Sequence, residues 1–204
     1  MDFSRPRANG IIAIDLVDSN ELVGVGLTNG SQEVMMFSTS GKAIRFAEGD
    51  VRKMGRTARG VRGIKLADDH KVNAMIICES DDDSSAVLTV TENGYGKRTM
   101  LSEYNCQGRG GQGVISIQTN DRNGSAIGAI LVEDDDEAML ITNGGTLVRT
   151  RVAEVSVIGR NTQGVKVIGV SKGEQLISVE KVAESDDEES SDDNDSTVEK
   201  GSED

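Results

Sequence analysis

A glycine followed by alternating apolar residues returns four times along this chain. The copies read Gly10-Ile-Ile-Ala-Ile-Asp-Leu, Gly60-Val-Arg-Gly-Ile-Lys-Leu, Gly113-Val-Ile-Ser-Ile-Gln-Thr and Gly164-Val-Lys-Val-Ile-Gly-Val, spaced by 50, 53 and 51 residues. A second landmark keeps step with the first: a turn glycine, three residues and an arginine, at Gly41 and Arg45, Gly94 and Arg98, Gly145 and Arg149. Five residues after each arginine stands an acid, Asp50, Glu103 and Glu154. Within one period the alternation is that of short strands. The third copy divides into VISIQT, AIGAILV, AMLIT and TLVRTRV, with Asn143-Gly144-Gly145 as a hairpin signal between the last two. A period near 50 with about four strands per unit is the mark of propeller-type blades, which bury their faces only against neighbours. The expected architecture is all-β and propeller-like. It has three full units, about 10–56, 57–108 and 109–160, and part of a fourth, 161–182. Together residues 1–183 form one domain.

The net charge of −13 is unevenly placed. Residues 184–204 hold 11 acidic side chains and one basic, Lys200, and almost nothing apolar. Such a segment cannot repay the entropy of ordering and is expected to be a disordered acidic tail. The first 183 residues carry 24 acids and 21 bases, so the location of the cations matters more than their sum. Gly occurs 24 times, Pro once and Trp never, which suits many tight turns. Two cysteines, Cys78 and Cys106, make no disulfide framework and suggest a reducing compartment. No apolar run is long enough for a membrane span and no signal peptide is evident, so a cytoplasmic location is expected.

The cations gather in the linkers that precede each repeat glycine. These carry Arg5 and Arg7, then Arg52, Lys53, Arg56 and Arg59, then Arg109, then Arg160. Arg56, Arg109 and Arg160 each stand four residues before the glycine, so radial repetition places them along one rim. Lys97, Arg98, Arg149 and Arg151, on strands feeding those linkers, are expected to widen the stripe. Evenly spaced cations on a curved edge suit duplex phosphates, giving salt-sensitive binding without base readout and favouring a bent duplex. The scarcity of aromatics, 2% of residues, disfavours single-strand binding through stacking. The plainer alternative is a solvated rim with ordinary linker arginines.

Several strings are more specific than this pattern: Phe3-Ser-Arg-Pro-Arg7, Met54-Gly-Arg-Thr-Ala-Arg-Gly-Val-Arg-Gly-Ile-Lys65, Asn93-Gly-Tyr-Gly-Lys-Arg-Thr99 and Val157-Ile-Gly-Arg-Asn-Thr-Gln-Gly164. In these the chain resembles the C-terminal domain of DNA gyrase A, from about residue 3 to 183. The resemblance implies a β-pinwheel, a propeller variant whose blades exchange strands. It also implies non-specific wrapping of duplex DNA on a basic rim, in support of ATP-dependent negative supercoiling. The implied partners are double-stranded DNA, the remainder of gyrase A, and gyrase B, which carries the ATPase. ATP and Mg²⁺ serve the holoenzyme elsewhere, so no cofactor is expected in this chain, and neither Tyr95 nor Tyr104 matches the family's catalytic tyrosine. The family's Gln-basic-Arg-Gly-Gly-basic-Gly box has a counterpart in Gln107, Gly108, Arg109, Gly110, Gly111, Gln112 and Gly113, with both flanking basic positions lost. This loop reads as a repeat-equivalent copy, with the first blades and their box expected outside this chain. The related domain of topoisomerase IV and a propeller-like protein-interaction scaffold stand as alternatives.

Other chemistries find little support. Gly108 to Gly113 fits G-x-G-x-x-G, yet a β pattern rather than a helix follows. The acidic runs 81–83 and 133–137 lack the alternating ligands and glycine of an EF-hand and read as solvated turns. His70 is the sole histidine. Cys78 reads as a core thiol and Cys106 as a more reactive surface thiol. Tethered beside a basic rim, the acidic tail is expected either to compete with phosphates or merely to solubilise.

Overall fold

The computed structural model describes residues 7–17 and 19–183. Three hairpins form its frame. The first pairs β1 (Glu33–Ser38) with β2 (Lys42–Ala47), the second β4 (Ala86–Thr91) with β5 (Tyr95–Met100), the third β8 (Glu137–Thr142) with β9 (Leu147–Arg151). Each closes through the turn glycine of the second landmark, and Gly41, Gly94 and Gly145 all have positive φ. Each hairpin ends in a one-turn 3-10 helix, at Glu48–Asp50, Leu101–Glu103 and Val152–Glu154.

The remaining strands are β3 (Val72–Cys78), β6 (Val114–Ile115), β7 (Ala126–Val132), β10 (Val165–Lys166) and β11 (Leu176–Lys181). They do not stay with the hairpin of their own repeat. The sheets run β3-β1-β2-β6, β10-β5-β4-β7 and β11-β8-β9, every pairing antiparallel. A hairpin therefore takes its third strand from the following repeat and its short fourth strand from the repeat after that. The sequence period is real, but one period is not one blade.

That exchange explains where strand expectations fail. The alternating segments 10–17 and 22–28, and Val61–Leu66, form no strand. Their counterparts succeed by pairing with an earlier hairpin, and no such hairpin stands among the described residues. Leu27, Val25, Ile12 and Leu22 are accordingly exposed, Leu27 by 95%. Residues 1–6 and the acidic segment 184–204 lie outside the described residues.

The core forms between sheets. Met35, Phe37, Ile76, Cys78, Val87, Leu101, Tyr104 and Ala129 fill one layer. Leu88, Val90, Val132, Leu140, Val152, Leu176 and Val179 fill the next. β4 is buried along its whole length because its two faces serve different layers. Each Val, Leu, Ile, Phe or Met among these contributes about 1.5–3 kcal/mol on full burial. The third strands β3, β7 and β11 pack on one another, β3 against β7 and β7 against β11. Their side of the sheets is thus the inner one, and β6 and β10 lie on the opposite, outer edge.

Candidate nucleic-acid interface

The outer edge is built by the linkers. Past the second 3-10 turn, the chain runs alongside β2, with a parallel bridge between Arg45 and Cys106 and a hydrogen bond from Gln107 N–H to the Arg45 carbonyl at 2.8 Å. It then reverses through Gln107–Gly113 and returns antiparallel as β6 against Lys42 and Ala43. Residues 156–166 repeat the path on β5: Arg98 bridges Val157, Ile158 N–H donates to the Arg98 carbonyl at 2.9 Å, and β10 pairs with Tyr95 and Gly96. Glycine is required where the return strand begins. Gly113 and Gly164 have φ of +67° and +77°, and a Cβ would stand 2.3 Å from the Ala43 carbonyl oxygen and 2.7 Å from that of Gly96. The box-like loop is thus the reversal that lays a linker on a sheet edge.

Three linkers grip the preceding repeat in the same way. Arg56, Arg109 and Arg160 each donate from Nη1 to the carbonyl two residues past the previous repeat glycine, Ile12, Arg62 and Ile115, at 2.9, 3.0 and 3.2 Å. Two residues before the next glycine, the carbonyls of Ala58, Gly111 and Thr162 accept from Asp15, Lys65 and Gln118 N–H at 3.2, 2.7 and 2.8 Å. The three arginines therefore hold equivalent, half-buried places. Part of each guanidinium is spent on joining consecutive repeats.

Other cations divide sharply. Arg7, Arg52, Lys53, Arg59, Arg149 and Arg151 are exposed. Arg59 pairs with Asp15 at 2.8 Å and Arg149 pairs with Glu137. Arg5 lies outside the described residues. Lys97 and Arg98 do not widen the stripe, and that expectation is corrected. Both side chains turn inward, 0% and 6% exposed. Arg98 pairs with Asp134 and donates from Nε to the Val155 carbonyl at 2.7 Å. Lys97 Nζ donates to the Gly159 and Arg160 carbonyls, both at 2.6 Å. Burial brings Lys97 down to about 8, with Glu103 opposing the shift and Arg160 adding to it.

Sequence reasoning overlooked Arg62, Lys166 and Arg122. Arg62 and Lys166 are exposed and share the second place after the repeat glycine, a position readable from the alignment of copies. Arg122 lies in an irregular loop with its guanidinium 4.8 Å from the Tyr95 ring centre, and no repeat signal marks it. Cys106 is exposed, but its thiol is pushed up, first by desolvation and then by Glu33, which disfavours the thiolate. Cys78, in the core, is pushed up to about 11 by burial. The acidic runs serve as turns and ion pairs: Asp82 accepts from Ser84 and Ser85 N–H, and Asp136 pairs with Lys181 at 2.6 Å. Among the described residues no group of three or more His, Cys, Asp or Glu is placed to hold a metal ion. Nor is any helix there long and apolar enough to cross a membrane.

The family model for the DNA gyrase C-terminal domain, a β-propeller, matches residues 32–79, 86–133 and 136–183. The chain belongs to this family. Each matched stretch starts near the first strand of a hairpin and ends just past the third strand of its sheet. The DNA gyrase A protein of Salmonella typhimurium is 56% identical over 203 residues, which cover 100% of this chain and 23% of the relative. That of Escherichia coli K12 is 49% identical over 200 residues, 98% of this chain and 22% of the relative. The chain thus spans less than a quarter of these two relatives. A solved gyrase A C-terminal domain superposes with a TM-score of 0.77 at 30% identity, covering 86% of this chain and 59% of that one. The C-terminal domain of DNA topoisomerase IV superposes at 0.82 with 23% identity, covering 89% and 56%, and shows the shared fold alone.

Proposed function

We propose that this chain binds the backbone of duplex DNA along its outer edge and helps to wrap it, as part of a gyrase A protein. In that setting it acts with the rest of gyrase A and with gyrase B, the ATPase, in the cytoplasm, in ATP-dependent negative supercoiling. The chemistry of cleavage and ATP use belongs to other regions. The observation that carries the reading is the threefold equivalence of Arg56, Arg109 and Arg160 in their grip on the preceding repeat, with the linkers of Arg109 and Arg160 laid along β2 and β5. Exposed Arg52 and Lys53 in the first of those linkers, and Arg62 and Lys166 just past the glycines that end the first and last of them, add positive charge. The gyrase reading stands ahead of topoisomerase IV because relatives about half identical over nearly the whole chain are gyrase A proteins.

Binding to a duplex longer than about 100 base pairs, titrated against salt, is expected to show a steep loss of affinity as counterion release weakens. Because the three arginines also join repeats, the diagnostic variant changes Arg52, Lys53, Arg62 and Lys166 to Gln, with folding checked by circular dichroism. The slope of log affinity against log salt is expected to fall by about 0.9 for each phosphate that is no longer neutralised. An unchanged slope removes the outer edge as the DNA path, and ligation of nicked circles reports any handed wrap.

A further inference from the structure

We propose that Lys97 is the positioning residue of the third linker: a buried cation that fixes the Gly159–Arg160 peptide on the outer edge and couples phosphate docking there to proton uptake. The inference rests on the outer edge being the DNA path.

The geometry is specific to one repeat. Lys97 stands three residues after the turn glycine, where the first and third hairpins have Ile44 and Val148. In the second hairpin an ammonium, fully enclosed, donates to two successive linker carbonyls. The same peptide is held from its other side, since Arg160 N–H donates to Glu103 Oε2 at 3.3 Å. Thr99 Oγ1 donates to the Ile158 carbonyl at 2.8 Å and Thr162 Oγ1 to that of Gly159 at 3.0 Å. No other linker among the described residues is clamped in this way. The Arg160 guanidinium rests 5.9 Å from the Tyr104 ring centre, and its buried Nε has no hydrogen-bond partner among the described residues. In the preceding linker, Arg109 Nε donates to the Asp50 carbonyl at 2.9 Å. At the corresponding place, Glu103 accepts the Arg160 backbone N–H through its carboxylate.

Among the described residues Lys97 makes no ion pair with a carboxylate; the charged groups bearing on it there are Glu103 from the 3-10 turn and Arg160 from the linker. Burial makes its charge expensive, which is why its proton is held only to about pH 8. A phosphate docking at Arg160 brings negative charge close to this ammonium and favours the protonated form. The complex then holds more protons than the separate partners, so affinity falls as pH rises through 8. An exposed rim lysine or arginine, already fully charged at that pH, gives no such dependence.

The test is calorimetric titration of the full chain with duplex DNA at pH 8, in two buffers of different ionisation enthalpy, for the wild type and Lys97→Met. The expected result is uptake of a substantial fraction of a proton in the wild type, absent in the variant, with affinity at pH 7 lowered several-fold. Equal uptake in both proteins, or DNA binding without uptake in the wild type, overturns the proposal. Should the wild type bind no duplex at any salt, the DNA reading itself falls and amide exchange decides the positioning role. Faster exchange at Ile158–Thr162 in Lys97→Met then upholds that role, and unchanged exchange ends it.

Discussion

Arg45, Arg98 and Arg149 occupy one position of the repeat and meet different fates. Arg45 is 6% exposed; it pairs with Glu33 and donates to the carbonyls of Leu101, which opens the following 3-10 turn, and of Tyr104 just past it, at 3.1 and 3.3 Å. Arg98 makes the matching bond to Val155, the residue just past the third such turn. Arg149, on β9, pairs with Glu137 across its own hairpin, but its side chain remains 61% exposed because no further repeat among the described residues covers it. The repeat sequence supplies the arginine; the neighbour supplies its environment. A residue's role in a strand-exchanging array is therefore a property of two repeats.

The largest expected effect breaks this comparison directly. Arg45→Met leaves the Glu33 carboxylate buried without its partner and strips donors from carbonyls of the next turn. The loss is about 3–5 kcal/mol, the usual cost of breaking a buried ion pair from one side. Arg149→Met removes an exposed pair and should cost under about 1 kcal/mol. Urea unfolding of both variants reads the contrast, and equal losses would show that burial by the following repeat does not set the arginine's weight.

Much of this was legible in the sequence, and the gaps have a common cause. The period, the hairpins and the linker arginines follow from spacing, turn glycines and alternation, because those are local properties. Strand exchange is implied by the family resemblance but not by the pattern itself, since the alternation in Val114–Ile115 says that it pairs but not with which hairpin. For the same reason segments 10–17 and 22–28 carry a strand pattern without forming strands. The inward turn of Lys97 was also hidden. Its acceptors are backbone carbonyls about sixty residues away, and only the apolar character of Ile44 and Val148 hinted that this place is interior. Arg62 and Lys166 are legible in the repeat, since both hold the second position after its glycine.

A smaller effect sharpens the point at the repeat glycines. Gly10, Gly60, Gly113 and Gly164 all have positive φ, so alanine at any of them costs about 1–2 kcal/mol from the left-handed backbone. At Gly10 and Gly60 a Cβ meets nothing within 4 Å among the described residues, whereas at Gly113 and Gly164 it strikes a hairpin carbonyl. Gly113→Ala should therefore cost distinctly more than Gly60→Ala and detach β6 from β2. Amide exchange at Val114–Ile115 and thermal melting separate the two. Matching melts would mean that the fourth strand adds nothing to the sheet.

The smallest effect concerns the hairpin turns, each braced from ten residues past a repeat glycine. His70 Nδ1 bonds Thr39 Oγ1 at 3.1 Å beside the first turn, and the Asn123 carbonyl accepts from Asn93 N–H at 3.0 Å at the second. At the third, a carboxylate does the work: Glu174 accepts from Thr142 Oγ1, from Thr146 Oγ1 at 2.9 Å and from Ser171 N–H at 3.0 Å. These bonds, that of Thr142 first, hold Glu174 down from the usual 4.5 to about 2. A carboxyl whose folded pKa is depressed stabilises the fold above its unfolded value and loses that contribution as pH falls through the folded one. Between pH 4.5 and 2, the third turn should therefore loosen ahead of the other two, read by exchange at Thr142–Thr146. Glu174→Gln should loosen that turn at neutral pH and make its exchange indifferent to acid across this window. If the variant's turn still opened with acid as the wild type's does, the bracing would belong to another group, and the difference between the hairpins would not lie in this side chain.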